Sequence, residues 1–513
     1  MKHIGIVIIS LLSALTVCAE TWETMFAYNE VSQIAVGVNK VYAVSDGVLF
    51  SVNKYSEQIE TYNSGNGLHG KNIKSIYYDN DLQMLIIGYL SGKIDLFVDG
   101  TIYYVSGLYL KDMTATKTIN NITVRDGKAY LSMDFGIVTF DLKKRVLVDT
   151  YYIGAKSAEV KVNDIRFIGD SIYAFGDALL YKANMNDNVV DYRNWQTEPL
   201  GRIQRDKDKG IRVTDTNGEI WEAGGTEGII RNTLTGERLT YKPDGPLVNT
   251  PYHMSVANGR LYVVPGGRWA VQDNTPGCVM VYDGSQWHNI SQQTIQAATN
   301  GHPAKDFMDV AVDPMDAEHF FVTAYGGGVY EFKDYQVVEQ YLPDNSTLTS
   351  RVETNPTRYT RCTGGIFDQG GNFWCTNMGS DVLQCYTRTS QWRKIQLKFE
   401  NSVFSMATTT DLLIDKYNEN LKWIPYARHN PGLILLDDKG TPSDTDDQVM
   451  FRKSWTTAAG KELTAEEIYA AQQDDARDIW MGTSAGVIII PHTSDYFTSD
   501  LCELIDIVED NLA

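Results

Sequence analysis

Two segments of the 513-residue chain bring together side chains able to hold a charged ligand. The first, Gly266-Gly-Arg-Trp-Ala-Val-Gln-Asp-Asn-Thr-Pro-Gly277, sets a cation beside an aromatic ring, Arg268 and Trp269, in a long stretch between two apolar runs. Long ordered loops are where binding groups concentrate. The plainer reading has Trp269 filling space between sheets and Arg268 pairing with a nearby Asp. The second, Gly201-Arg-Ile-Gln-Arg-Asp-Lys-Asp-Lys-Gly-Ile-Arg212, is the densest basic cluster of an acidic chain. Arg202, Arg205, Lys207, Lys209 and Arg212 could meet phosphate or carboxylate groups of a glycan. Asp206 and Asp208 offset part of that charge, as in an ordinary charged turn.

Catalytic patterns are missing from the sequence. The His residues are scattered, with no His-x-x-x-His or His-Glu-x-x-His spacing for a metal. The Gly-x-Ser-x-Gly match at Gly482-Thr-Ser-Ala-Gly486 falls in a turn between two strands, without the strand-to-helix setting of a nucleophile elbow. A pair of carboxylates across a channel mouth would serve glycoside chemistry, but most Asp and Glu here sit in turns, where they cap and solvate. Asp368-Gln-Gly-Gly-Asn-Phe-Trp374 superficially suggests a sialidase Asp-box without its Ser and Thr, and reads as a hairpin turn ahead of a core Trp. Asp437 to Asp447 lacks the alternating ligands and closing Glu of a calcium loop. No enzyme, metal or cofactor is expected.

What positions these segments is a repeated hairpin. Ile479-Trp-Met-Gly-Thr-Ser-Ala-Gly-Val-Ile-Ile-Ile490 is two apolar strands around a Gly-flanked turn, and Leu85 to Leu96, Phe321 to Phe332 and Phe373 to Gln384 share its shape. Weaker copies cover 41–50, 129–140, 172–181, 220–230, 261–282 and 423–436. The turn residues Gly47, Gly92, Gly136, Asp177, Gly228, Gly277, Gly328, Ser380, Gly432 and Gly486 recur at about 40–50-residue spacing, the period of β-propeller blades. Apolar strands at 73–79, 162–167, 308–313 and 365–370 precede several hairpins and would line a central channel. The fold class is therefore all-β, two β-propellers in tandem. Ten units exceed one ring, and the polar stretch Ser291 to Lys305 is the expected break. This gives a first propeller over 20–305, holding six copies, and a second over 306–513. Residues 411–420 and 461–475 read as inserted loops or short helices, with Thr464-Ala-Glu-Glu467 as a helix-starting box.

Composition agrees: 30 Tyr, 10 Trp and 42 Gly against 14 Pro favour strands joined by turns. Residues 1–19 read as a secretory signal peptide, basic at Lys2-His3, apolar over Ile4 to Val17 and small-residued at Ala19; a lipidated Cys18 is the rival reading. The chain is thus expected to be exported. Cys278, Cys362, Cys375, Cys385 and Cys502 are odd in number and irregular in spacing. Cys375 and Cys385 could face each other across a hairpin with Cys362 a strand away, yet buried thiols are expected. A net charge of −20 argues against nucleic acid.

The segment Asn66-Gly-Leu-His-Gly-Lys-Asn-Ile-Lys-Ser-Ile-Tyr-Tyr-Asp79 with Leu85-Ile-Ile-Gly88, and the Trp480-Met-Gly-Thr483 hairpin, resemble the two-component regulator propeller repeat. Trp22, Gly266 to Ala270 leading to Val279-Met-Val-Tyr-Asp-Gly284 and Trp287, Asp313 to Phe321, Gly326 to Phe332 and Asn345-Ser-Thr-Leu348 together resemble the PorZ family. The likeness runs over the whole chain. It implies two seven-bladed propellers, the second incomplete here, and a C-terminal sorting domain that this sequence does not contain, so that the sequence is expected to stop short of the family's length. It further implies a non-enzymatic role at the outer-membrane cell surface, reached through the periplasm. There, such proteins join the PorU sortase, PorV and PorQ in the type IX secretion attachment complex, bind anionic lipopolysaccharide and present it to the sortase. The alternative is the oligosaccharide-sensing propeller region of a hybrid two-component regulator.

Overall fold

The computed structural model describes residues 24–505 apart from 268–273, 380, 400–401, 404–408, 428–430, 441–445 and 493–494. Cys18, the signal segment, Arg268, Trp269 and Ser380 lie outside the described residues. Strands dominate, and they pair almost entirely with their sequence neighbours as antiparallel meanders. This is the order expected where each hairpin turn is short and each strand carries a buried face.

Ten such sheets follow one another, here called blades 1–10, spanning 31–62, 73–105, 119–151, 164–199, 212–241, 253–290, 307–341, 362–395, 413–452 and 468–505. The fold is an all-β tandem of propellers, as the period required. In blade 3 the register runs from Lys128 opposite Asp141 to Met133 opposite Gly136. Gly136 adopts φ +147°, and a Cβ there would lie 2.2 Å from the Tyr151 carbonyl oxygen of the outer strand. Gly328 repeats the situation in blade 7, 2.1 Å from the Tyr341 oxygen at φ +75°. At these two positions the periodic glycine marks where the outer strand crosses too close for any side chain.

Two compact units divide the chain, residues 1–243 and 244–513. The division corrects the expected break at 291–305 and the assignment of six copies to the first propeller. Blade 6, with its hairpin over 261–282, belongs to the second unit. The first unit holds five blades among the described residues, where the resemblance implied seven in the family. Blade 5 returns to blade 1: Val31 N donates to the Gly225 oxygen at 3.0 Å. Tyr28, Val31, Val41, Phe50 and Val52 also share a core with Trp221, Ile229 and Tyr241. The polar stretch misled because Ser291 caps a short helix, Gln292–Ala298, whose Ile295 is buried in the core shared by blades 6 and 7. The boundary instead follows Pro243, in a run with Pro246 and Pro251 that breaks strand pairing.

Residues 411–420 and 461–475 are not insertions. Leu413–Ile414 and Ile468–Gln473 are the first strands of blades 9 and 10. Thr464 ends a strand, Glu462–Thr464, instead of opening a helix. That strand and Ser454–Thr457 extend blade 10 to six strands through a parallel pairing with Leu501–Ile505. Neighbouring blades of the second unit share apolar cores in sequence order, 6 with 7, 7 with 8, 8 with 9 and 9 with 10.

The five described cysteines are free and buried. Register opposes Trp374 to Cys385 and Cys375 to Gln384, so Cys375 and Cys385 point to opposite faces of blade 8. Cys375 packs toward blade 7 beside Cys362, while Cys385 packs toward blade 9. The hairpin bridge is therefore excluded by the pleat. Burial, with the neighbouring Cys362, pushes the Cys375 thiol well above its usual range.

Candidate functional site

The turns entering the second strands share a clasp that decides what Asp368 does. Trp374 Nε1 donates to Asp368 Oδ2 at 2.8 Å, and Asn372 N donates to Oδ1 at 2.8 Å. The same six-residue spacing joins Trp221 to Asp215 at 3.1 Å and Trp480 to Asp474 at 2.9 Å. In blade 7 a His replaces the Trp: His319 Nδ1 lies 2.9 Å from Asp313 Oδ2, and its Nε2 lies 2.8 Å from Glu331 Oε1. Glu331 first, and then Asp313, hold the His319 pKa above its ordinary value against the opposing effect of burial. The Trp480 indole holds the Asp474 carboxyl below its usual range. Asp368 is thus the hairpin turn ahead of a core Trp that the sequence suggested.

In the first unit the basic segment forms the connection from blade 4 to blade 5, and it lies over the inner strands. Ile34 N donates to the Gly210 oxygen at 2.6 Å. Ile203 packs on Tyr173, Phe175 and Leu180. Lys209 Nζ reaches Asp164 Oδ1 and Thr123 Oγ1, each at 2.7 Å, joining the inner strands of blades 4 and 3. Arg202 pairs with Glu198 at 3.3 Å and Arg212 with Glu222 at 2.8 Å. Arg205 sits 5.6 Å over the Phe175 ring and donates to the Gly176 oxygen at 3.4 Å. Lys207 alone of the five has no described side-chain partner and is exposed. Four of the five cations are therefore engaged within the unit, and Lys209 is the one that joins its inner strands.

The second unit has an open centre instead. Its inner strands, His253–Ala257, Phe307–Val312, Cys362–Phe367, Leu413–Ile414 and Ile468–Gln473, border a cavity of about 520 Å³. The polar groups facing it include His253, Ser255, Asp368, Asp411, Lys416 and Glu419. They also bind the blades to one another. Gln369 N donates to Glu419 Oε1 at 2.7 Å, joining blades 8 and 9. Gln473 Nε2 donates to Asp415 Oδ2 at 2.9 Å, while Lys416 Nζ donates to the Gln473 oxygen at 2.6 Å, joining blades 9 and 10. Beneath them, Asp309 accepts from Thr323 Oγ1 at 2.8 Å and Gly364 N at 2.7 Å. His253 Nδ1 is buried without a hydrogen-bond partner among the described residues. A wall of carboxylates with one cation suits hydroxyl donors, as on a sugar, better than it suits an anion. Among the described residues no group of three or more His, Cys, Asp or Glu is placed to hold a metal ion.

Sequence reading located the walls of blades 7 and 8 but missed Asp411, Asp415, Lys416 and Gln473, because both segments carrying them read as insertions. The signal was there in the apolar Leu412-Leu413-Ile414 and in the buried alternation of Ile468 with Ala471 and Gln473. Of the 266–277 insertion, the described end is tied down: Asn274 N and Thr275 N donate to the two oxygens of Asp306 at 2.9 and 2.8 Å.

The family described as TSS9, PorZ, N-terminal beta-propeller domain matches residues 41–196. No curated protein matches the chain. Among solved structures, PorZ of Porphyromonas gingivalis aligns with TM-score 0.79 and 22% identity, covering 92% of this chain and 73% of its own. That structure is described as an essential bacterial surface component of the type-IX secretion system. The extracellular domain of a one component system from B. thetaiotaomicron aligns over 95% of this chain and 67% of its own at 14% identity, with TM-score 0.33. Virginiamycin B lyase from Staphylococcus aureus covers 62% of this chain and 90% of its own at 11% identity, with TM-score 0.30. The last two scores are too low to support an argument. Residues 41–196 thus match the PorZ N-terminal β-propeller family, and the fold of the chain is similar to that of PorZ over both units.

Proposed function

We propose that this chain is a non-enzymatic cell-surface adaptor of the attachment complex, which binds anionic lipopolysaccharide and presents it to the sortase that anchors secreted cargo. The observation that carries the reading is the PorZ domain match at residues 41–196, with the surface role printed for the P. gingivalis relative. The hydroxyl-seeking wall of the second ring supports a sugar ligand. The partners that follow from this reading are PorU, PorV and PorQ. Export through the periplasm to the outer-membrane surface is part of it, and no described helix is long and apolar enough to cross a membrane.

The test is pull-down of purified lipopolysaccharides with the full chain. The expected result is retention of the anionic form over the ordinary form. Equal retention, or none, overturns the glycolipid role. Selective retention of neutral oligosaccharides in its place would favour a sensor.

A further inference from the structure

A second opening in the 244–513 unit has a different chemistry from the central cavity. It lies where the connection between blades 6 and 7 (Lys305), the turn after Phe321 in blade 7 (Tyr325, Gly326) and the connection between blades 7 and 8 (Arg358, Arg361) meet, and it encloses about 120 Å³. That is about four times the ~30 Å³ share of one water in the liquid, enough for one small oxyanion and little more.

Three cations line it, Lys305, Arg358 and Arg361. None is in an ion pair among the described residues, in a chain whose net charge is −20. The one carboxylate in the lining, Asp306, spends both oxygens on the Asn274 and Thr275 amides. Among the described residues, two positive charges of the lining therefore remain without a carboxylate to balance them. Arg361 is held by rings instead of by a carboxylate: its guanidinium lies 4.4 Å from the Tyr325 centroid and 5.6 Å from that of Tyr359. Its Nε is buried with no hydrogen-bond partner among the described residues, a donor of the kind that proteins rarely leave unmet. Backbone closeness fixes the shape, since a Cβ on Gly326 would lie 2.6 Å from the Arg358 carbonyl oxygen.

Uncompensated like charges repel one another across the cleft, and an oxyanion between them removes that cost. A carboxylate would neutralise only one of the two excess charges. A phosphate monoester carries about −1.5 to −2 at pH 7 and offers three oxygens to three donors. Planar guanidinium forks suit such a group. We propose that Lys305, Arg358 and Arg361 form a binding site for a phosphate-type dianion, either free phosphate or the phosphate of a sugar. The inference stands on the cleft alone and goes beyond the glycolipid reading.

The experiment is calorimetric titration of the full chain with inorganic phosphate, glucosamine 1-phosphate and acetate. Phosphate is expected to bind and acetate not to, with affinity falling as pH drops through the second ionisation, about 7 for the free ion and about 6 for an ester, where the dianion is lost. Glucosamine 1-phosphate binding more tightly than phosphate identifies an esterified group, and equal binding identifies the free ion. Lys305→Gln and Arg358→Gln are each expected to weaken phosphate by about tenfold or more, and Arg358→Lys by less. Acetate binding equal to phosphate, or unchanged phosphate affinity in folded variants, overturns the proposal. If a variant does not fold, the wild-type pH profile still decides, because an affinity that does not fall below pH 6 excludes a dianion. Loss of lipopolysaccharide retention with phosphate binding intact would count against the glycolipid role and not against this site.

Discussion

In the first unit the loop 200–211 lies over the inner strands, and Lys209 reaches Asp164 and Thr123. In the second, the inner strands surround about 520 Å³ of space, and their polar groups clasp adjacent blades around its rim. One repeat thus yields a centre filled by its own chain and a centre left open. The difference lies in the connections between blades, not in the blades. Four of the five cations in the 201–212 loop meet internal partners, whereas the cleft of the second keeps three without carboxylate partners among the described residues. A cluster's density in sequence is therefore a poor guide to its availability; what matters is which connection carries it and what lies beneath.

Four tests can break or sharpen that contrast. The largest effect is expected from Lys209→Met, which leaves the 9%-exposed Asp164 side chain without its cation. Losing one partner of a mostly buried pair costs about 3 kcal/mol. Chemical denaturation should show it in the first unit's transition, with Asp164→Leu in the same chain restoring part of the loss. No change would mean that the loop does not close the ring.

Next, bulk added at the two centres should have opposite consequences. Thr123→Trp must displace Lys209 and should cost about 2 kcal/mol, whereas Ser255→Trp points into open space and should cost under about 0.5 kcal/mol. Equal costs by thermal unfolding would erase the distinction between the rings. Should the central cavity be where the sugar lies, Ser255→Trp also abolishes lipopolysaccharide retention without loss of fold.

Third, Asp368→Ala removes the acceptors of the Trp374 indole and the Asn372 amide and should destabilise by about 1–2 kcal/mol. Asp474→Ala, whose partner Trp480 is 38% exposed, should cost less. A reversed order in denaturation midpoints would show that the clasps do not depend on burial.

The smallest effect is a pH dependence of the second unit. The folded-state pKa of His319 is raised above its unfolded value of about 6.5. Its contribution is therefore fully present below pH 6.5 and is lost as pH rises through the folded value. The unfolding midpoint should decline across that window, and His319→Gln should flatten the decline.

Much of the architecture was legible in the sequence. Gly136, Gly228 and Gly328 recur because each sits under an outer-strand carbonyl, and that constraint writes a period into the chain. The inner strands of blades 7 and 8 were legible because the apolar runs Val310-Ala-Val312 and Ile366-Phe367 are each followed at once by turn residues. Blades 9 and 10 were not, since Leu413–Ile414 is a two-residue strand and the stretch before Ile468 is rich in Glu. The ring boundary escaped because closure depends on Val31 meeting Gly225, almost two hundred residues apart, and no local pattern encodes such a meeting. The cleft escaped for the same reason: Lys305 and Arg361 are unremarkable singly and become a site only when two blade connections converge.

The Asp–Trp clasps also bear on how such a chain folds. Propellers are rich in non-local pairing and should fold slowly, since each blade must find its neighbours before its faces are covered. A clasp between residues six apart closes at very small entropic cost. The hairpins of blades 5, 8 and 10, carrying Asp215, Asp368 and Asp474, are accordingly expected to form early and to show the higher φ-values. The strand pairing of Val31 with blade 5 should come last, as the step that commits the first ring.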